Sequence, residues 1–438
     1  MSTDVGTSPL KAAVASFVGG MFEWYDFFIY GTAAALVFNQ IFFADLSPTM
    51  GTIAAFATLA VGYGVRPFGG IVFGHIADRV GRKRSLLLTL LVMGVTTVAI
   101  GLLPTYAAIG VTAPVLLLLL RIVQGFGMGG ELGVASVFAV EHAPAGRRGF
   151  YGAFAYAGPF AGLVLSTGVF AILSLLPTET FVAWAWRIPF LLSVLIVGVA
   201  LFIRMGVPES REFADIEDRV KETGIPVGVV LRHHLKDLVA VALMCAGPNS
   251  IFALVTVFAL SYGTSAYGIP RTTMLLVVTV AAGLLFIVTP LWGAFSDQVG
   301  RSRPIIYGAV LEGLLLVLFF ALLSTAHVAL IFLGTMLVLG LGHAVVNGVF
   351  PAFFCELFPT EIRTSAVSLG QQLGGVIGGL APLAAAALVA ANGGGWHYLG
   401  LYGLGLCALC ALATGLSVRR WGPRSGVTHD ADAVTGAR

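Results

Sequence analysis

The sequence predicts an all-α integral membrane protein with twelve transmembrane helices, arranged as two halves of six helices each. Hydrophobic residues make up 58% of the 438 residues and charged residues only 10%, whereas soluble domains carry about 25% charged residues. Apolar stretches recur along the whole chain at about 20 residues, the length that crosses a bilayer as a helix. They are continuous rather than alternating, which favours helices over the strands of a barrel.

Twelve apolar segments can be placed in the sequence. The first is not expected to be a cleaved signal peptide, because it is too long and contains Glu23 and Asp26. The predicted spans are 14–38, 51–77, 85–106, 112–141, 150–176, 187–206, 237–263, 272–293, 304–324, 327–350, 365–391 and 396–418.

A polar segment divides these spans into two bundles. The stretch "PESREFADIEDRVKETGIP" is the only long charge-rich part of the sequence, and it is typical of a linker or an amphipathic helix. We therefore predict an N-terminal six-helix bundle over residues 1–206, a cytoplasmic linker over 207–236, a C-terminal six-helix bundle over 237–418 and a cytoplasmic tail over 419–438.

Lysine and arginine indicate the orientation, because they stay on the cytoplasmic side of a membrane. With the N-terminus inside, only Arg187 and Arg271 fall outside, and Arg66 and Arg121 fall within the membrane, which leaves 20 of the 24 basic residues inside. We therefore predict that both termini are cytoplasmic. The net charge of +3 then reflects topology, and no nucleic-acid partner is expected.

Two charged loops recur at nearly one offset and indicate an internal duplication. "GHIADRVGRKR" follows the second span, and a weaker copy, "GAFSDQVGRSR", follows the eighth; Asp78 and Asp297 are 219 residues apart (297 − 78). Glu141 after the fourth span and Glu356 after the tenth are 215 apart (356 − 141). Six-helix repeats of this kind form transporters whose binding site lies between the two halves.

These motifs also resemble a known family. "GHIADRVGRKR" matches the G-x3-D-R/K-x-G-R-R/K loop of the major facilitator superfamily. "FEWYDFFIYG", "RIVQGFGMGGELGVASVFAVEHAPAGRRG" and "ELFPTEIRTSAVSLGQQLGG" are similar to its metabolite:proton symporter branch, and "SPTMGTIAAFATLAVGYGVRPFGG" is most similar to the shikimate-transporter group. One departure is that Leu132, Gly133 and Val134 stand where that branch has tryptophan and two glycines. If that helix face touches the substrate, a substrate other than those of the branch is an open alternative.

The resemblance implies a secondary active transporter that takes up a small organic acid, preferably a shikimate-like monocarboxylate, together with a proton by alternating access. It implies a multi-pass carrier of a bacterial-type inner (plasma) membrane, expected to be monomeric. The expected partners are the small-molecule substrate, protons and the lipid bilayer. No nucleotide fingerprint, metal-ligand cluster or nucleophile–base arrangement occurs in the sequence, so no cofactor, no metal and no enzymatic activity are expected.

The charged loops are predicted to close the cytoplasmic side when the carrier faces outward. Asp78 would accept hydrogen bonds from a helix N-terminus of the other half, and Arg79 and Arg82 would reach Glu141. Asp297 with Arg301 would act in the same way, though less strongly. The alternative is that the loop is only a positive-inside anchor. The predicted gate residues are Gly74, Asp78, Arg79, Gly81, Arg82, Glu141, Asp297, Arg301, Glu356 and Arg363.

Ionisable residues inside the membrane usually mark a transport pathway. The predicted proton-coupling residues are Asp26, Glu23 and Glu131. Asp26 and Arg121 lie at similar depths, about 18 and about 14 Å from the outer ends of their helices, so a direct pair between them is possible. The alternative is an ion pair that only orders the helices. Glu312 is a further buried acid for which the sequence names no partner.

Polar residues on the remaining helices complete the predicted substrate site. Arg121 would hold the substrate carboxylate, and amides of the second half would bind hydroxyl groups. Adjacent glutamines cannot both face a cavity, and a lone helical histidine is more often structural. The predicted substrate-binding residues are Arg121, Gln124, Tyr30, Arg66, His343, Asn347, Gln371 and Gln372.

Several alternatives remain at this stage. Within transport they are uptake of a zwitterion such as proline or betaine, which the long C-terminal coiled coil of osmosensing relatives would favour, and uptake of a di- or tricarboxylate. Outside transport, the alternatives are a membrane sensor, which needs a sizeable signalling domain, and a membrane enzyme, which needs a catalytic constellation.

Overall fold

In the computed structural model, the described residues form helices and no strands. Turns and short loops connect these helices. The described residues are 9–80, 82–141, 143–144, 146–205, 226–358 and 360–421.

Six long helices make up the first half. Short helices at its loops are Phe38–Ile41, Tyr106–Ile109 and Thr178–Ala183. The long helices are α1 (Pro9–Leu36), α2 (Pro48–Val80), α3 (Arg82–Leu102), α4 (Thr112–Gly127, a 3₁₀ turn at Met128–Gly130, then Glu131–Glu141), α5 (Arg148–Leu173) and α6 (Ile188–Met205).

Six more long helices make up the second half, and two of them contain a π-helical segment. The short helix Pro226–His233 precedes them, within the predicted linker. They are α7 (Leu235–Ala253, a π segment at Leu254–Phe258, then Ala259–Tyr267), α8 (Arg271–Val299), α9 (Ser302–Leu323), α10 (Val328–Leu337, a π segment at Val338–His343, then Ala344–Leu357), α11 (Thr360–Ala391) and α12 (His397–Trp421).

The twelve long helices of the described chain correspond one to one with the twelve predicted spans, with ends that agree to within roughly two helical turns. Eight of them are long and apolar enough to cross a membrane by length and composition, and shorter apolar helices accompany them. Large apolar side chains cover the outer faces; Leu195 is 68% exposed and Phe202 76%. The protein is therefore a multi-pass integral membrane protein.

The contacts between the halves repeat under an exchange of the halves. Helix α5 packs along α8, and helix α2 packs along α11. Adding six to the first-half helix number and subtracting six from the second-half number converts one pairing into the other, as expected for a duplicated bundle. At the α5–α8 crossing, a Cβ added to Gly149 would lie 2.3 Å from the Gly293 carbonyl oxygen. Only glycine allows the two backbones to approach this closely.

Candidate functional site

The candidate site is a cavity between the two halves. Its wall is formed by α1, α2, α4 and α5 of the first half and by α7, α10 and α11 of the second half. Its empty volume is about 880 Å³, which includes the part open to solvent. Aromatic rings cover much of the wall. The polar groups among them are Glu23, Tyr63, Arg66, Tyr156, Asn249, Thr256, His343, Asn347, Gln371 and Gln372.

Arg66 lines this cavity, and three aromatic rings surround its guanidinium group. Its Cζ atom lies 4.4 Å from the ring centre of Tyr63, 5.2 Å from that of Phe27 and 5.5 Å from that of Trp24, distances at which cation–π attraction is favourable. Nη2 donates to the Met128 sulfur at 3.3 Å, and Nε has no hydrogen-bond partner. The rings attract the guanidinium without accepting hydrogen bonds from Nε, so the Nε–H group of Arg66 is available to an anion.

Asp26 lies behind the cavity wall, at one end of a chain of hydrogen bonds. Its carboxylate accepts from Thr97 Oγ1 at 3.0 Å and from Ser193 Oγ at 2.9 Å. Thr97 Oγ1 accepts from Gln124 Nε2 at 2.6 Å, and Gln124 Oε1 accepts from Arg121 Nη1 at 2.5 Å. The polar faces of α1 and α4 therefore meet as expected, through the hydroxyl group that α3 places between them.

The direct pair between Asp26 and Arg121 that the sequence allows does not occur in the described chain, since two side chains separate them. Arg121 is fully buried, with its Cζ atom 4.2 Å from the ring centre of Tyr30. It packs against the backbone of α2, where a Cβ on Gly62 would lie 2.3 Å from Nε. Arg121, Gln124 and Tyr30 thus lie outside the cavity wall in this conformation, whereas Glu23 and Arg66 belong to it.

The second half contributes a buried polar cluster. His343 Nδ1 lies 2.9 Å from Glu312 Oε1 on α9, and Asn347 Nδ2 lies 3.0 Å from His343 Nε2. The His343 ring stacks on Phe252, with ring centres 4.8 Å apart. His343 and Asn347 line the cavity together, as their spacing predicts, and Glu312 lies behind them. The sequence named no partner for Glu312, and in the structure this partner is His343.

The neighbouring glutamines of α11 both line the cavity, so the expectation that only one of them could face it was wrong; the cavity extends far enough around α11 to contact two adjacent positions. The two side chains differ in their contacts. Gln372 Nε2 donates to the Gly129 carbonyl oxygen of the first half at 3.0 Å. Neither polar atom of the Gln371 amide has a hydrogen-bond partner, and the side chain is 93% buried (7% exposed). A buried amide without partners is costly. Gln371 is therefore the glutamine with unused hydrogen-bonding capacity toward a substrate.

Asp297 joins the two halves at the predicted cytoplasmic end. Its carboxylate accepts from the backbone N–H groups of Gly149 at 2.8 Å and Phe150 at 3.0 Å, in the first turn of α5. These N–H groups have no partner within their own helix, and a helix N-terminus favours negative charge. The contact expected for this motif is therefore present at Asp297. Arg301 supports it, with Nη1 2.8 Å from Asp297 Oδ1.

Two further ion pairs lie nearby. Arg301 Nε donates to Glu356 Oε1 at 3.2 Å within the second half, and Arg363 Nη1 donates to Glu141 Oε1 at 2.9 Å across the halves. Glu141 thus pairs with a basic residue of the other half. The remaining predicted residues have side chains or placements outside the described residues, so their roles stay predictions: Gly74, Asp78, Arg79, Gly81, Arg82 and Glu131.

The opposite end of the cavity is also closed by contacts between the halves. Arg271 Nη2 donates to Thr178 Oγ1 at 3.1 Å, and Thr279 Oγ1 donates to Thr167 Oγ1 at 2.8 Å. With Asp297 bound to α5 at the other end, contacts between the halves are present on both sides of the cavity.

Asp297→Asn is expected to weaken the cytoplasmic closure. Asparagine keeps one acceptor oxygen but loses the charge, and charge-assisted hydrogen bonds contribute about 1.5–3 kcal/mol. The population should shift toward the inward-open state by about tenfold. Labelling of a cysteine introduced on the cytoplasmic side of the cavity measures this shift. Asp45→Asn, which makes the same change at an exposed carboxylate that accepts from Tyr106 within the first half, is the control and should leave labelling near wild type. Equal labelling of Asp297→Asn and wild type would refute the gate.

Sequence reasoning missed several residues of the site. Thr97 and Ser193 bind Asp26, but single hydroxyl residues in apolar helices give no signal in one sequence. Asn249 and Thr256 line the cavity from α7. Helix α7 is the counterpart of α1 in the internal repeat, and α1 carries polar residues. The repeat could therefore have drawn attention to Asn249 on α7.

Comparisons with known proteins agree with this architecture. Residues 11–224 match the family described as Sugar (and other) transporter, and residues 249–433 match the Major Facilitator Superfamily. The shikimate transporter of Escherichia coli K12 is 40% identical over 418 residues, covering 93% of this chain and 95% of that protein. The chain belongs to the major facilitator superfamily. Its relatives are transporters rather than enzymes, as the sequence leads one to expect.

Other relatives of this carrier differ in the solutes that their names give. The inner membrane metabolite transport protein YhjE of Escherichia coli K12 is 38% identical, with 92% of each chain covered. The glycine betaine/proline/ectoine/pipecolic acid transporter OusA of Dickeya dadantii is 34% identical, covering 98% of this chain and 87% of that one. A crystal structure of a D-xylose–proton symporter superposes with a TM-score of 0.73 at 19% identity, covering 97% and 100% of the chains. The latter similarity establishes the fold alone.

Proposed function

We propose that this carrier takes up a small organic acid with a single carboxylate, together with a proton, by alternating access of the two halves. Shikimate, a hydroxylated ring with one carboxylate, is the representative substrate. The 40% identity with a shikimate transporter supports this choice. The inner membrane of a bacterial-type cell, with both termini in the cytoplasm, is the proposed location.

The observation that carries the proposal is Arg66 in the wall of the cavity. Its guanidinium lies among aromatic rings, and Nε has no hydrogen-bond partner. A carboxylate can bind a guanidinium through two parallel N–H···O bonds. Glu23 lines the same cavity and reduces its net positive charge, so one carboxylate suits the site better than two or three.

Hydroxyl groups of the substrate have their own candidate partners. Gln371, Asn347 and Asn249 line the cavity from the second half. Amide groups both donate and accept, which matches hydroxyl groups. The aromatic rings beside them offer an apolar surface for the face of a ring. This division assigns the charge of the substrate to the first half and its hydroxyl groups to the second.

Asp26 is the proposed proton carrier. It is 3% exposed and accepts two hydroxyl hydrogen bonds, with no cation in direct contact in the described chain. A buried carboxylate without a paired cation is strongly unfavourable when charged. Loading and release of one proton therefore fit the alternation between a closed state and states open to water. Glu23, one turn away and in the cavity wall, is the second candidate.

Zwitterion uptake is the alternative that the relatives support, since a betaine carrier is 34% identical. Quaternary ammonium groups bind in cages of aromatic rings. In this chain the cluster of Trp24, Phe27 and Tyr63 already surrounds the guanidinium of Arg66. The observed arrangement therefore favours an anion over a betaine.

Competition for uptake tests the proposed substrate class. Proteoliposomes containing the purified protein take up labelled shikimate in the presence of excess unlabelled solutes. We expect strong inhibition by hydroxylated monocarboxylates and weak inhibition by citrate, α-ketoglutarate, proline and betaine. Inhibition only by zwitterions, or stronger inhibition by citrate than by shikimate, would overturn the monocarboxylate assignment.

A further inference from the structure

A second titratable pair lies in the second half, away from Asp26. Glu312 is fully buried, and its Oε1 lies 2.9 Å from His343 Nδ1, while Oε2 has no hydrogen-bond partner. A Cβ on Gly342 would lie 2.7 Å from the Cα atom of Glu312. That close approach of α9 to α10, within the π segment that ends at His343, brings the two side chains together. Such π segments in helices are frequent at functional sites.

The Asn347 amide covers the face of the His343 ring. Its Nδ2 donates to the His343 carbonyl oxygen at 3.1 Å and lies 3.2 Å from Nδ1 and 3.0 Å from Nε2 of the ring. Nearly equal distances to both ring nitrogens place the amide nitrogen over the ring face, whereas the lone pairs and N–H bonds of the ring lie in its plane. The partner of Nδ1 is Glu312 Oε1. The pair thus shares one proton between Nδ1 and Oε1, and a second proton can bind at Nε2 of His343 or Oε2 of Glu312.

A second proton on this pair changes the charge beside the cavity. It converts a neutral imidazole beside an ionised carboxylate, which together carry one negative charge, into an imidazolium paired with a carboxylate, which is neutral overall. A neutral pair repels an anionic substrate less than an anionic pair does.

We propose that Glu312 and His343 form a second proton site, which sets the charge that the second half presents to an anionic substrate. The proposal rests on the proton-coupled uptake proposed above. Glu312 is a positioning residue here, since it acts through His343. His343 lines the cavity, so the effect reaches the substrate directly.

Other titratable groups near the pair do not replace it. Thiols and phenols in general lose their proton only above about pH 8, so those on α12, α7 and α5 carry no charge in the range of the test. Glu23 and Arg66 lie on the first-half wall of the cavity. The groups that face the pair from the packed helices and across the cavity are Cys245, Cys407, Cys410, Tyr156, Glu23 and Arg66.

The test is the pH dependence of the dissociation constant of shikimate for the purified full-length carrier. Each proton that binds with the substrate changes this constant by up to about tenfold per pH unit. We expect two such steps for the wild type, that is, two pH ranges in which the dissociation constant falls as the pH is lowered, one for each proton. Glu312→Gln and Asp26→Asn should each lose a different step, and the double variant should lose both. His343→Gln, which keeps an amide donor toward Glu312, should reproduce the loss seen in Glu312→Gln and serves if that variant does not fold.

The outcomes separate this proposal from the proposed function. If Glu312→Gln and His343→Gln both keep the two wild-type steps, the second proton site is refuted while proton coupling stands. If affinity falls equally at every pH and both steps persist, the pair is only structural, which also refutes the proposal. If the wild type shows no step and a pH gradient does not drive its uptake, the proposed proton coupling itself fails.

Discussion

Arg66→Lys should raise the half-saturation concentration for shikimate by tenfold or more while the protein still folds. Lysine keeps the positive charge but loses the planar fork that binds a carboxylate through two hydrogen bonds. It also loses much of the stacking on Tyr63, whose ring centre is 4.4 Å from the guanidinium carbon. Hydrogen bonds to charged groups contribute about 1.5–3 kcal/mol, which corresponds to roughly 10- to 150-fold in affinity. Initial uptake rates over a range of shikimate concentrations measure the effect.

Arg121→Lys is the matched control, because Arg121 is the other deeply buried arginine. Its Nη1 donates to Gln124 outside the cavity wall. This variant should change half-saturation much less than Arg66→Lys does. The reverse result, a large increase for Arg121→Lys and none for Arg66→Lys, would assign the substrate carboxylate to Arg121 and contradict the site proposed here.

Asp26→Asn should abolish accumulation driven by a pH gradient and leave exchange of substrate across the membrane intact. The asparagine amide cannot bind and release a proton near neutral pH, so net uptake coupled to protons stops. The fold should tolerate the change, because the hydroxyl groups of Thr97 and Ser193 can either donate or accept. Gradient-driven uptake and substrate counterflow in the same proteoliposomes distinguish the two activities.

Ser193→Ala provides the control for Asp26→Asn. It removes one of the two hydrogen bonds to the carboxylate but leaves the titratable group in place. Accumulation should therefore persist in this variant. Wild-type accumulation by Asp26→Asn would exclude Asp26 as the proton carrier, and Glu23→Gln would then be the variant to measure.

The architecture could be predicted from the sequence because it depends on composition and repetition. Membrane helices must be apolar along their whole length, so their number and approximate ends follow from hydropathy. The offset between Asp78 and Asp297 shows the duplication directly. The contact of Asp297 with a helix N-terminus could be predicted from the same motif. It requires only a local turn that places a carboxylate at the end of a helix.

The pairings inside the site could not be predicted, because they depend on how distant helices pack. Glu312 and His343 are 31 residues apart, and they meet because Gly342 lets α9 and α10 approach closely. In the sequence, the depth of Arg121 in the membrane was the reason to expect that it binds the substrate carboxylate. In the folded chain Gly62 admits it against the backbone of α2, which leaves Arg66 in the cavity wall. Such side-chain orientations depend on a glycine of another helix. A single sequence does not show which helices meet at that glycine.

The central claim is that proton movement drives uptake of a monocarboxylate, and accumulation against a gradient tests it most directly. Proteoliposomes with an alkaline interior receive labelled shikimate, with a protonophore added in a parallel sample. The account predicts accumulation above the external concentration that collapses when the protonophore is added. Equal internal and external shikimate under the pH gradient, in a preparation that still performs counterflow, would contradict it.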